Sequence, residues 1–160
     1  MIRSYTNKDV DYIVNSHYEL YKKEFNYDSS FRSYIAETVN SFIVRSNKKE
    51  NIFILEIEGK PSGSISIKQV AEHTAQLGLF LIEPHFRGSG YGKDRIIKAL
   101  SFCVDNGFNK VILWTNEELE AARFIYQKIG FKLKITQRSI LSNKVLLEEQ
   151  WELELKDLHL

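Results

Sequence analysis

The stretch LGLFLIEPHFRGSGYGKDRII, Leu77 to Ile97, constrains the fold more than any other part of the chain. An apolar run meets Pro84, three glycines follow at alternate positions (Gly88, Gly90, Gly92), and a helical apolar pattern begins. Proline lacks the N–H that a strand ladder needs, so the run reads as a strand that stops there. Glycines allow left-handed backbone and close approach. The helix that starts near Gly90 aims its first N–H groups, and the positive end of its dipole, at the turn. With Arg87 as a charged donor, strand, turn and helix make a cradle for an anion such as a pyrophosphate. Local spacing alone leaves a ligand-free glycine connection open. A P-loop is excluded, because Arg87 stands where its first glycine belongs and Asp94 follows Lys93. A dinucleotide fingerprint fits poorly, because Lys93 takes the place of the third glycine and roughly four strands precede the turn.

The rest of the chain supplies the elements around this turn. MIRSYT reads as an edge strand, and Asn7 is the expected cap of a first helix with Val10, Ile13, Val14, His17, Tyr18, Tyr21 and Phe25 on one stripe. Asp28 or Ser29 opens a second helix with Phe31, Tyr34, Ile35, Val39, Phe42 and Ile43 inward. NIFILEIEGKPSGSISIKQV reads as a hairpin turning at Glu58 to Pro61. Ile65 and Ile67 alternate with serines there, which predicts one covered face. HTAQLGLFLIEP is too apolar for an edge strand. In the helix after the glycines, Ile96, Ile97, Leu100, Cys103 and Val104 face the core, and Gly107 ends it. KVILW reads as a buried strand. EELEAARFIYQKIG reads as a helix with Leu119, Ala122, Phe124, Ile125 and Ile129 available for packing. FKLKI and EEQWELEL read as closing strands, and the segment 136–147 as a loop or as an extension of both. The order β-α-α-β-β-β-α-β-α-β-β is mixed α/β, not a doubly wound sheet. No linker or repeat divides residues 1–160, which read as one domain.

Composition narrows the function. Basic and acidic residues number 22 and 21, a net charge of +1, which argues against a nucleic-acid or membrane-surface binder. Hydrophobic residues make up 43%, enough for a sizeable core. Cys103 is the sole cysteine, so no internal disulfide forms. The N-terminus has no signal-peptide pattern and no run approaches a membrane span, so a cytoplasmic protein is expected. Four scattered histidines show no metal-ligand spacing. His85 reads as a loop residue and His159 as tail.

Arg87-x-x-Gly90-x-Gly92 matches the R/Q-x-x-G-x-G/A signature of the GNAT superfamily of N-acetyltransferases. WTNEELEAARFIYQKIGF resembles its second signature, an asparagine and then a helix that ends in Tyr126 before Gly130-Phe131. A narrower resemblance, in SHYELYKKEFNYDSSF, AEHTAQLGLFLIEP, LWTN and EEQWELEL, is to the acetyltransferase half of proteins that fuse a MarR-type DNA-binding domain to a GNAT domain. The DNA-binding half has no counterpart in this sequence, so no DNA role is carried over.

The resemblance implies a mostly antiparallel sheet with helices on both faces. It also implies acetyl transfer from acetyl-CoA to a primary amine of a small or amino-acid-like molecule, by direct attack in a ternary complex. It assigns the pyrophosphate to Arg87, Gly88, Ser89, Gly90, Tyr91 and Gly92, with Lys93 adding charge. It places the pantetheine arm near Ile82 and Asn116, and the thioester oxygen on a backbone N–H of Phe80 or Leu81. Tyr126 would protonate the leaving thiolate. At Gln76, where many members carry a glutamate base, this chain has a group that cannot accept the proton. Glu72 and His73 are the nearby candidates for that task. His17, Tyr21 and Glu24, on the first helix, are candidates with Gln76 for the acceptor side. A catalytically weak, CoA-binding sensor module is the second expectation, and pairing of two subunits through an exposed final strand a third.

Overall fold

The computed structural model describes residues 1–81 and 83–158; Ile82 and His159 lie outside the described residues. The element order is the expected one: β1 (Ile2–Ser4), α1 (Val10–Phe25), α2 (Ser29–Arg45), β2 (Asn51–Ile57), β3 (Lys60–Ala71), β4 (Thr74–Gly78), α3 (Tyr91–Asp105), β5 (Lys110–Asn116), α4 (Glu120–Ile129), β6 (Lys132–Leu141) and β7 (Lys144–Glu154). Among the described residues these strands form one sheet in the order β1-β2-β3-β4-β5-β7-β6. Every pairing is antiparallel except β4 with β5.

Helices cover both faces, and β2 shows why. Ile52 and Ile54 join Ile13, Phe31, Ile35 and Val39 of α1 and α2 in one core. Phe53, between them, joins Ile65, Leu77, Ile96 and Leu100 in the other, under α3 and α4. The period of two sends alternate side chains to opposite layers. The serines of β3 share this arrangement and correct the expectation of one covered face. Ser64 and Ser66 pair with Ile54 and Ile52 and are buried like Ile65 and Ile67, which alternate with them. Their small hydroxyls let α1 lie close, and Ser64 satisfies its own by donating to the Leu79 carbonyl at 2.6 Å.

Helix ends follow capping chemistry, with one correction. Asp28 caps α2 by accepting the Ser30 N–H at 2.9 Å. Asn7, the expected cap of α1, instead lies within a one-turn 3-10 helix, Asn7–Asp9, capped by Thr6 in a reciprocal box with Asp9. Asp9 also holds Arg3 through two bonds of 2.8 and 2.9 Å, tying the start of α1 to β1. Four inward assignments fail as well: Tyr34, Ile43, Val104 and Phe124 are 53%, 39%, 49% and 59% exposed. On α3 the buried stripe passes instead through Arg95 and Ala99.

The segment 136–147 resolves into strand. β6 and β7 pair from Lys132 to Leu141, and Ser142 and Asn143 (φ 53° and 60°) form the two-residue turn. Two successive left-handed residues match the twist of a tight hairpin. The tip docks on the α2 cap: Ser142 Oγ donates to Asp28 at 2.9 Å, and Asn143 Nδ2 also bonds that carboxylate. Lys144 Nζ donates to the Phe25 carbonyl at 2.8 Å. The hairpin thereby reaches across the sheet to the α1–α2 connection.

Candidate active site

The site begins where β4 fails to continue. The strand ends at Gly78, six residues before the proline that the sequence marks as its stop. Leu79 takes a left-handed φ of 44°, which turns the chain out of the ladder. Pairing of β4 with β5 therefore runs only from Thr74–Lys110 to Leu77–Leu113. Beyond it Trp114, Thr115 and Asn116 keep their β7 partners, while β4 has departed. The sheet splits on one side of β5.

Three cavities meet at the split. One of about 340 Å³ lies against the α1–α2 face of the sheet. A second, of about 320 Å³, shares Tyr21, Phe80, Leu119 and Ala122 with it. A third, of about 630 Å³, touches the second at Arg87 and Ala121 and runs between the α3 N-terminus and α4. A ligand can thus extend from one face of the sheet to the other.

The glycine turn lines the third cavity. Gly88 and Gly90 hold φ of 80° and 88°, and a Cβ on either would point into open space. Gly90 is the residue before α3, so the N–H groups of Tyr91, Gly92 and Lys93 lie in the first turn, which has no carbonyls of its own to bond. Ser89 Oγ bonds the Phe86 carbonyl, which fixes the turn. Arg87 reaches across to α1, where the Glu24 carboxylate accepts from both terminal guanidinium nitrogens, from Nη1 at 3.0 Å. That carboxylate raises the Arg87 pKa, so its charge is constant.

A residue missed in the sequence holds the β4 extension. Arg95, on α3, is 1% exposed and is gripped by carbonyls rather than carboxylates. Its Nη1 donates to Ser64 O at 3.1 Å and to Leu81 O, and its Nε to Tyr91 O at 3.3 Å. The guanidinium lies 4.9 Å from the centre of the Phe80 ring. Burial lowers its pKa to about 10, which still leaves it charged. The available signal was an arginine on the buried stripe of a helix, with Gly63 of β3 leaving room for it.

The polar groups at the split come from three elements. Tyr126 of α4 is buried, with its ring 5.8 Å from Phe80, and it lines the first cavity. Burial raises its pKa far above the usual phenol value, so it keeps its proton. His17 of α1 is 2% exposed. Its Nδ1 bonds the Ile13 carbonyl at 2.8 Å, which places the proton there and leaves Nε2 as an acceptor. Burial pushes the His17 pKa down to about 4, against the weaker pull of the Ile13 and Leu79 carbonyls. Among the described residues His17 Nε2 and Thr115 Oγ1 are buried without a hydrogen-bond partner, and both residues line the first cavity. Asn116, at the end of β5, accepts the Glu118 N–H at 2.9 Å and donates to the Tyr27 hydroxyl at 3.3 Å. It therefore caps the turn into α4 and still faces the cavity.

Some expected residues are not brought together. Glu72 and His73 form the β3–β4 turn, at the opposite end of β4 from the split, about 15 Å away by strand length. Both are exposed and face each other at 3.7 Å, so they do not reach the site. Sequence proximity misled here, because one strand separates its two ends by its full length. Gln76 and Tyr21 line the first cavity. Glu24 lines the second. Lys68 and Glu148, which also line the first, carried no local pattern.

Comparison with known proteins agrees with this geometry. The family model described as Acetyltransferase (GNAT) family matches residues 14–131. An uncharacterized N-acetyltransferase of Methanocaldococcus jannaschii is 25% identical over 139 residues, 83% of this chain; the chain spans 61% of that relative's length. A GNAT-family acetyltransferase of Staphylococcus aureus Mu50 superposes with a TM-score of 0.79 at 18% identity, over 97% of this chain and 98% of that one. The yncA protein of Salmonella typhimurium, solved with its cofactor acetyl-CoA, superposes with a TM-score of 0.76 at 13% identity, over 100% and 95%. With the family model matched over most of its length and the split sheet, glycine turn and buried Tyr126 in place, this chain belongs to the GNAT acetyltransferase family.

Proposed function

We propose that the protein transfers the acetyl group of acetyl-CoA to a primary amine of a small molecule, by direct attack within a ternary complex. The observation that carries this reading is the convergence of Tyr126, His17 and Phe80 where the cavities from both sides of the sheet meet. The residues present suit the cosubstrate: the open space over Gly88 and Gly90 faces the α3 N-terminus, a site for a pyrophosphate. Acetyl-CoA supplies an activated acyl group as a thioester. The chain's own groups do the rest.

Arg87 and the first turn of α3 would bind the phosphates. Arg95 fixes the Leu81 carbonyl and so the backbone on which Phe80 and Leu81 would present an N–H to the thioester oxygen, a donor worth a hundredfold or more in comparable sites. An amine entering from the first cavity loses its charge readily, because burial disfavours ammonium. Its nitrogen becomes acidic as it bonds to the carbonyl carbon. His17 Nε2, the unpartnered acceptor, would hold the amine by accepting from one of its N–H groups while the acidic proton leaves to water, and Tyr126 would give its own to the departing sulfur. Gln76 remains at the cavity as a hydrogen-bonding group only.

The test follows thiol release from acetyl-CoA over a panel of primary amines, with CoA binding titrated in parallel. Release with at least one amine, and loss of CoA affinity in Arg87→Glu, support the reading. Tight CoA binding with no release would favour the sensor module that Gln76 brings to mind. Absence of CoA binding would sink both.

A further inference from the structure

We infer that the acceptor is a monoamine on an aromatic or other apolar body rather than a polyamine; this rests on the amine-acceptor reading above. The first cavity, about 340 Å³, falls within the range of small-molecule sites. Its helical wall is a ladder of rings. Tyr21 stacks on Phe31 at 4.9 Å and 15°, and Phe31 lies 6.2 Å from Tyr34. Trp114 and Leu146 face them from the sheet side. Such a wall takes a flat apolar group by area burial and ring contact.

Charge then decides between amines. Among the described residues, the charged side chains lining this cavity are Lys68 and Glu148, which sum to zero. A triamine such as spermidine carries about three positive charges at neutral pH. Each cation taken from water without a carboxylate costs several kcal/mol. Glu148, whose carboxylate accepts from Gln137 at 3.1 Å, offsets one cation, and Lys68 repels any other. Among the other described lining residues the polar demand is small. His17 Nε2 and Thr115 Oγ1 lack partners and are 2% and 5% exposed. Together they ask for no more N–H groups than one amine carries. The chemistry is that of a molecule with one nitrogen end and one ring-sized apolar end.

The experiment titrates phenethylamine and spermidine into the CoA-saturated protein and follows tryptophan fluorescence, since Trp114 lines the cavity, with calorimetry alongside. Phenethylamine should bind at least about tenfold tighter, and Glu148→Gln, which leaves Lys68 without an opposing charge on the wall, should widen that gap against spermidine. 2-Phenylethanol binding should not respond to that change. Thr38→Glu, which adds a second carboxylate to the wall, should narrow the gap toward spermidine. Equal or tighter spermidine binding, or a gap that Glu148→Gln leaves unchanged, overturns the inference. With acetyl-CoA added, turnover of spermidine alone overturns this inference and leaves acetyl transfer standing. Bound phenethylamine with no thiol release from any amine overturns acetyl transfer and leaves the pocket chemistry standing.

Discussion

At residue scale the site depends on two groups held in opposite protonation roles by the same cause. Burial keeps Tyr126 a proton donor and keeps His17 a neutral acceptor. Tyr126→Phe should lower kcat by about a hundredfold, the usual worth of a positioned acid, with CoA affinity within about twofold. Steady-state kinetics and a CoA titration check this; an unchanged kcat would show that the ring merely packs. His17 also sets a pH limit on stability. Its folded pKa of about 4 lies below its ordinary 6.5, so between those values the unfolded chain binds a proton that the folded one refuses. Stability is therefore full above pH 6.5 and falls as pH drops toward 4, by up to about 3 kcal/mol from this group. In His17→Gln that part of the slope should vanish from melts recorded between pH 7 and 4. An identical slope in both proteins would assign it to other groups.

At element scale, what opens the sheet is a short β4, and what holds it open is Arg95 of α3. Gly63 lies opposite: a Cβ there would meet Arg95 Nη1 at 2.5 Å. Gly63→Ala should cost about 1–3 kcal/mol, as overpacking does, and weaken CoA binding by shifting the Leu81 carbonyl that Arg95 holds. Denaturant melts and CoA titration read the two effects. A protein unchanged in both would mean that Arg95 moves freely. The β6–β7 hairpin is the second device, because its Ser142–Asn143 turn fastens the closing strands to the α2 cap. Asn143→Val places a branched side chain at φ 60°, which should destabilise by about 1–2 kcal/mol more than Asn143→Gly, which loses the same bond to Asp28 without the strain. Equal melting temperatures for the two variants would show that the turn carries no strain.

At the scale of the whole molecule, two cores on opposite faces of one sheet leave the split as the place where both layers are reached. Cys103 reports on the α3–α4 core. It is fully buried, and burial pushes its thiol up to about 12, so a thiol reagent should label the native protein only as fast as that core opens. Rapid labelling without denaturant would contradict the packing.

The sequence by itself determined the element order, the glycine turn and the family, because proline, glycine and the periods of 2 and 3.6 act locally. It also showed Tyr126 and the absence of a glutamate at Gln76. Only the tertiary structure decided which polar groups converge. Glu72 and His73, near Gln76 in sequence, sit at the far end of a strand. His17, some sixty residues away, is turned by α1 onto the split. Leu79 could leave the ladder only because Ser64 and Arg95, from other elements, satisfy the freed carbonyls. Such partners are set by packing across the sheet, and packing has no period along the chain.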